Sequence, residues 1–87
     1  MTTQPTQINL LNHHAAKRLR QLREQLKLSR PKFADLLGIP PTTLKNYELG
    51  YREIGGGLFL LIANHLELKR HLDWLLTGQA PNQLAEA

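Results

Sequence analysis

The sequence predicts a compact all-α domain of five helices. Three observations predict it. Apolar residues recur at helical spacing, as in Leu19, Leu22 and Leu26. Glycine and proline punctuate the chain at Pro31, Gly38, Pro40-Pro41, Gly50 and Gly55-Gly56-Gly57, leaving helix-sized pieces between them. No stretch carries the pattern of a β-strand, and no repeat is visible.

Residues 1–12 are polar, with Gln, Thr and Pro5, and read as a flexible N-terminal arm. Ile8, Leu10 and Leu11 either dock that arm or lengthen the first helix. Asn12 is the candidate N-cap of a first helix over His13–Leu26. Ser29 is placed to cap a second helix, Arg30–Leu37, with Pro31 in the first turn, where its missing N–H does little harm. Phe33, Ala34 and Leu37 share one face of that helix, and Gly38 can take the positive φ of a helix stop. Pro40-Pro41 opens a third helix to Glu48, with Leu44 and Tyr47 facing inward and Gly50 ending it. A loop over 50–57 leads to a fourth helix, Leu58–Leu66, and a fifth, Lys69–Leu76. Residues 79–87 are small and polar and read as a flexible tail, which leaves 13–78 as the folded domain. The predicted core is Leu19, Leu22, Leu26, Phe33, Ala34, Leu37, Ile39, Leu44, Tyr47, Ile62, Ala63, Leu66, Leu72 and Leu75, with Trp74 capping it.

Composition narrows the function. The chain has no cysteine, so it has no disulfide framework, thiolate zinc site or cysteine nucleophile, and it fits a reducing cytoplasm. No apolar run is long enough for a membrane span, and the N-terminus lacks the basic residues and apolar core of a signal peptide. Adjacent His13 and His14 point about 100° apart on a helix, with no third ligand nearby, so no metal site is predicted. His65 and His71 read as surface residues. No catalytic triad, phosphate-cradling loop or paired-carboxylate motif appears, and neither an enzyme nor a cofactor is expected. The net charge is +4, unevenly placed. Between His13 and Lys32, Lys17, Arg18, Arg20, Arg23, Lys27, Arg30 and Lys32 face a single acid, Glu24, whereas the remaining chain is net acidic. Such a patch suits a phosphate-facing surface better than an ordinary solvated helix face when it adjoins a groove-binding motif.

That motif lies between Leu28 and Gly50. Two short helices around a tight glycine turn form a helix-turn-helix, a unit that can seat its second helix in a DNA major groove. The segment Leu28-Ser29-Arg30-Pro31-Lys32-Phe33-Ala34-Asp35-Leu36-Leu37-Gly38-Ile39-Pro40-Pro41-Thr42-Thr43-Leu44-Lys45-Asn46-Tyr47-Glu48-Leu49-Gly50 resembles the lambda-repressor-like, Cro-like and xenobiotic-response-element regulators. The resemblance runs from about Arg18 to Gly78. It takes in Leu19-Arg20-Gln21-Leu22-Arg23 before the motif and Leu72-Asp73-Trp74-Leu75-Leu76-Thr77-Gly78 after it. It implies a five-helix lambda-repressor-like fold and a sequence-specific, double-stranded DNA-binding transcriptional regulator of prokaryotic or phage type, acting as a repressor in the cytoplasm.

With Leu44 and Tyr47 inward, Pro41, Thr42, Lys45 and Asn46 form the outward set of the third helix, the candidate base contacts. Thr42 offers a hydroxyl and a methyl, Asn46 a bidentate amide for adenine, and Lys45 a donor for guanine. Relatives resembling this chain use the positions of Pro41, Thr42 and Asn46. Pro41 departs from their common glutamine and loses its side-chain hydrogen bonds. Candidate phosphate contacts are Ser29 and Arg30 at the opening of the second helix, Arg52 after the third, and Arg18 and Lys32. The resemblance places a basic residue at Arg52 over the backbone. It also assigns Arg23 and Glu48 to a structural ion pair rather than to DNA. The triple glycine either lets backbone N–H groups approach a phosphate or is simply a flexible loop; the second reading is preferred.

The fourth helix begins Leu58-Phe59-Leu60-Leu61-Ile62-Ala63 and is apolar on every face, which one core cannot cover. Leu58, Leu61 and His65 make a second stripe that, with Trp74 and Leu76, predicts a homodimer on a palindromic operator. The same fold admits two other uses. One is an antitoxin whose apolar surface holds a toxin; the other is a helical interaction module that no longer binds DNA. Salt-dependent DNA binding separates the last from the rest, and a stable heterologous complex separates the antitoxin. In the resemblance the segment Glu67-Leu68-Lys69-Arg70-His71 is longer and more charged than the usual link between the last two helices.

Overall fold

The computed structural model describes residues 5–79 and is helical throughout, with no strand among the described residues. The helices are α1 (Pro5–Gln25), α2 (Arg30–Leu37), α3 (Pro41–Glu48), α4 (Gly56–Ala63) and α5 (Leu72–Thr77), with a 3₁₀ turn at Lys69–His71 leading into α5. Among the described residues no helix is long and apolar enough to cross a membrane.

α1 is two turns longer than expected. The sequence predicts His13–Leu26 behind an Asn12 cap, with Ile8, Leu10 and Leu11 docking an arm or lengthening the helix; they lengthen it, and α1 begins at Pro5. The reason is visible in the spacing: Ile8, Leu11 and Ala15 continue the stripe of Leu19 and Leu22 at i+3 and i+4. Asn12 is therefore inside the helix. Its Oδ1 instead accepts the Ile54 N–H at 2.9 Å, tying α1 to the loop before α4.

Three helices close in the same way. At the end of α1, the Lys27 N–H donates to the Glu24 carbonyl and the Leu28 N–H to that of Arg23. At the end of α2, Gly38 donates to Asp35 and Ile39 to Ala34; at the end of α3, Gly50 donates to Tyr47 and Tyr51 to Asn46. Each closure needs one residue in the left-handed region. Gly38 (φ 80°) and Gly50 (φ 76°) fill it without a Cβ penalty, whereas α1 uses Lys27 at φ 60°. At the start of α2, Ser29 Oγ accepts the Lys32 N–H at 3.3 Å. α3 has no side-chain cap at Pro40, and Pro41 occupies its first turn.

Nine of the predicted core residues are buried: Leu19, Leu22, Phe33, Ala34, Leu37, Leu44, Tyr47, Ile62 and Leu75. Ile39, Leu72 and Trp74 are half-buried against them, and Ala63 is also half-buried. Leu26 and Leu66 are not core residues; both are exposed, Leu66 at 82%. α4 was expected over Leu58–Leu66 but ends at Ala63, where the Asn64 amide donates to the Leu60 carbonyl at 2.9 Å. The helical phase that would carry Leu66 beside Ile62 is broken there. The following turn buries Leu68 instead, and the expected helix Lys69–Leu76 is split into the 3₁₀ turn and α5. Ala15, Ala16, Ile54 and Leu58 complete the core.

Candidate nucleic-acid interface

α2 and α3 are joined by three residues, Gly38-Ile39-Pro40. Phe33, Ala34 and Leu37 of α2 and Leu44 and Tyr47 of α3 are buried in one core cluster, which fixes what α3 turns outward. Pro41, Thr42 and Lys45 are exposed and Asn46 is half-buried, so the expected outward set does lie along one accessible side of α3. Among the described residues none of these four side chains makes a hydrogen bond or ion pair inside the protein. Arg52 stands just past α3, exposed, with its guanidinium carbon 5.6 Å from the centre of the Tyr47 ring. This cation–π contact holds the charge beside the end of α3.

Behind that face is a buried charge junction. The Glu48 carboxylate is fully buried. Arg23 of α1 donates to it from Nε at 2.7 Å and from Nη2 at 3.1 Å, and also donates from Nη1 to the Leu28 carbonyl at 3.0 Å. Hydrogen bonding to Glu48 raises the Arg23 pKa against the opposing effect of burial. Arg30 of α2 donates from Nε at 2.9 Å to Glu48 Oε1, the oxygen that also accepts from Arg23 Nη2. One carboxylate thus joins α1, α2 and α3. The family resemblance implies the Arg23–Glu48 pair, whereas the sequence predicts Arg30 on phosphate, because nothing local links positions 30 and 48.

The basic patch is correspondingly smaller than its composition suggests. Arg18, a candidate phosphate contact, instead donates to the carbonyls of Leu75 (2.9 Å) and Leu76 (3.3 Å), closing the end of α5. Burial lowers its pKa. Those carbonyls are the orphan acceptors that any helix end exposes, and the sequence offered no signal of which cation would meet them. Arg20 pairs with Glu24 on the exposed side of α1. Ser29 keeps its hydroxyl on the α2 cap, while Lys32 is exposed. Lys17, Lys27 and Lys32 have no ion-pair partner among the described residues.

The expected dimer set does not form one surface. Leu58 is a core residue, 3% exposed, and Trp74 packs half-buried against the core. Leu61 and His65 line an apolar groove of about 710 Å³ together with Leu36 and Leu60. Leu76 lies elsewhere, in a smaller concavity with Ile8, Leu11 and Phe59. His65 and His71, expected at the surface, are both half-buried. His65 accepts the Glu67 N–H on Nδ1 at 3.1 Å, whereas His71 Nδ1 is buried without a hydrogen-bond partner among the described residues. The His13 and His14 rings are 6.0 Å apart, and no group of three potential metal ligands occurs among the described residues.

Comparison with known proteins agrees with this architecture. A helix-turn-helix family model matches residues 19–74, from the leucine stripe of α1 to Trp74 in α5. No curated protein and no solved structure matches the chain. The family match spans well over half of the sequence and includes the glycine turn, the outward side of α3 and the charge junction behind it. The chain belongs to the helix-turn-helix family and is a lambda-repressor-like, Cro-like DNA-binding transcription regulator.

Proposed function

We propose that this chain is a sequence-specific repressor of prokaryotic or phage type that reads the major groove with α3. The observation that carries this is the accessible row of Pro41, Thr42, Lys45 and Asn46 on a helix anchored from behind by Arg23, Arg30 and Glu48. Asn46 supplies a bidentate amide, Lys45 a cationic donor and Thr42 a hydroxyl with a methyl, while Pro41 makes only an apolar contact. Arg52 and Lys32 flank the row as backbone contacts. Ser29 contributes through the α2 start, where a free N–H and the helix dipole favour an anion. Arg30 retains its terminal nitrogens for the same role, with Nε held by Glu48. Arg18 no longer belongs to this set.

The operator is read as a two-fold site by two copies. The groove around Leu36, Leu60 and Leu61 supports a partner surface, because these leucines are 38%, 66% and 42% exposed and adjacent. An antitoxin role would use the same groove for a toxin. Selection from random duplexes should enrich a palindrome, and sedimentation of the wild type should give a dimer. Leu61→Glu should give a monomer with unchanged helical circular dichroism and persistent half-site binding. A wild type that stays monomeric at high concentration and on DNA would remove the dimer. Enrichment of no common sequence would remove specific readout.

A further inference from the structure

The first half of α1 and the loop after α3 enclose a polar notch of about 260 Å³, of which the functional reading above uses only Arg52. Asn9, Asn12 and His13 line it from α1, and Tyr51, Arg52 and Glu53 line it from the loop. Asn9 joins the notch because α1 extends back past it to Pro5. The notch is preformed, since the Asn12 Oδ1 bond to the Ile54 N–H ties its two walls together. That bond commits the oxygen of Asn12 and leaves its amide nitrogen as a donor. Asn9, His13 and Tyr51 add further polar groups that can donate, and Arg52 adds a fixed cation.

Its position matters as much as its chemistry. Arg52 packs on Tyr47 at the end of α3, so the notch lies beside the C-terminal end of the outward row. A helix seated in a major groove about 12 Å wide has a sugar–phosphate backbone at each lip. We propose that this notch is a second phosphodiester site, in which Asn9 and His13 complete a clamp begun by Arg52 on the backbone flanking α3. The proposal rests on the DNA-binding reading. Glu53 is the group in the notch that opposes an anion, and it makes the site tunable in both directions. The His14 ring lies 6.0 Å from that of His13.

Fluorescence anisotropy of the full chain on a random-sequence duplex, across a salt series, tests this without invoking base readout. His13→Lys should steepen the slope of log affinity against log salt by about 0.9, the value of one added phosphate contact. Gln7→Lys adds the same charge to the same half of α1 outside the notch and should leave the slope unchanged. Glu53→Gln should tighten binding by about three- to tenfold at low salt, an effect that fades as salt rises. All three positions are exposed, so circular dichroism should not change. Equal slopes for the two lysine variants, or no gain from Glu53→Gln, would overturn the notch while leaving DNA binding intact. A wild-type chain that binds no duplex would overturn both.

Discussion

Asn46 and Glu48 are two residues apart on α3 and occupy opposite environments. Asn46 belongs to a row in which Pro41, Thr42 and Lys45 are exposed and whose side chains make no polar contact among the described residues. The Glu48 carboxylate is fully buried and shared by two guanidiniums, with the Arg23 side chain 12% and that of Arg30 29% exposed. The row is left to solvent, whereas the junction is satisfied within the protein. On the proposed function, one short helix therefore has a specificity face and a stability face. Substitutions on the two should be read out by different experiments.

The largest expected effect lies at the junction. Glu48→Ala leaves two guanidiniums without their carboxylate and should cost about 3–5 kcal/mol of stability, the range for breaking a buried pair. Urea unfolding measures it. A double-mutant cycle with Arg23→Ala should show strong coupling, and additive losses would mean that the two side chains act independently.

On the outer face, stability should barely change and affinity should. Asn46→Ala should cost about 1–3 kcal/mol at one base position and relax specificity there. Arg52→Ala should weaken binding alike on cognate and random duplexes and flatten the salt slope by about one phosphate contact. Titrations of both variants on both duplexes sharpen the contrast. An Asn46→Ala loss that is equal on the two duplexes would dissolve it.

A third site tests burial without a partner. Burial lowers the His71 pKa, with the charge of Arg70 adding to the effect. The unfolded chain then binds this proton more readily than the folded one. The stability contribution of neutral His71 is present above the ordinary histidine range, near about pH 6.5, and declines as pH falls through it. Thermal melts from pH 8 to 5 should show that decline in the wild type and less of it in His71→Leu. Parallel curves would assign the decline to other groups.

The smallest effect is expected at the exposed counterpart of the Glu48 junction. Arg20 and Glu24 sit one helical turn apart at 3.0 Å, with both side chains about half exposed. Arg20→Ala should cost only about 0.3–0.5 kcal/mol, and less in high salt. A loss approaching that of Glu48→Ala would mean that contact distance, rather than burial, governs these pairs.

What the sequence determined by itself is local. The bounds of α2 and α3, the Ser29 cap, the glycine stops and the inward set of Phe33, Leu37, Leu44 and Tyr47 all follow from residues within a turn or two of one another. Helix periodicity and cap chemistry act over that range, so these features could be read directly. The same stripe runs through Ile8 and Leu11, but the Gln, Thr and Pro residues before them favour an arm and hide the length of α1. Tertiary structure alone decided where the arginines went. Arg18 met the carbonyls at the end of α5, 57 residues away in sequence, and Arg30 met Glu48, 18 away. It also decided that α4 ends at Ala63, so that Leu68 rather than Leu66 enters the core. A long cationic side chain can reach any acceptor within its span, and a buried carboxylate or an open helix end draws the cation that folding brings near. Spacing along the chain encodes which residues share a helix face, but it does not encode which faces meet.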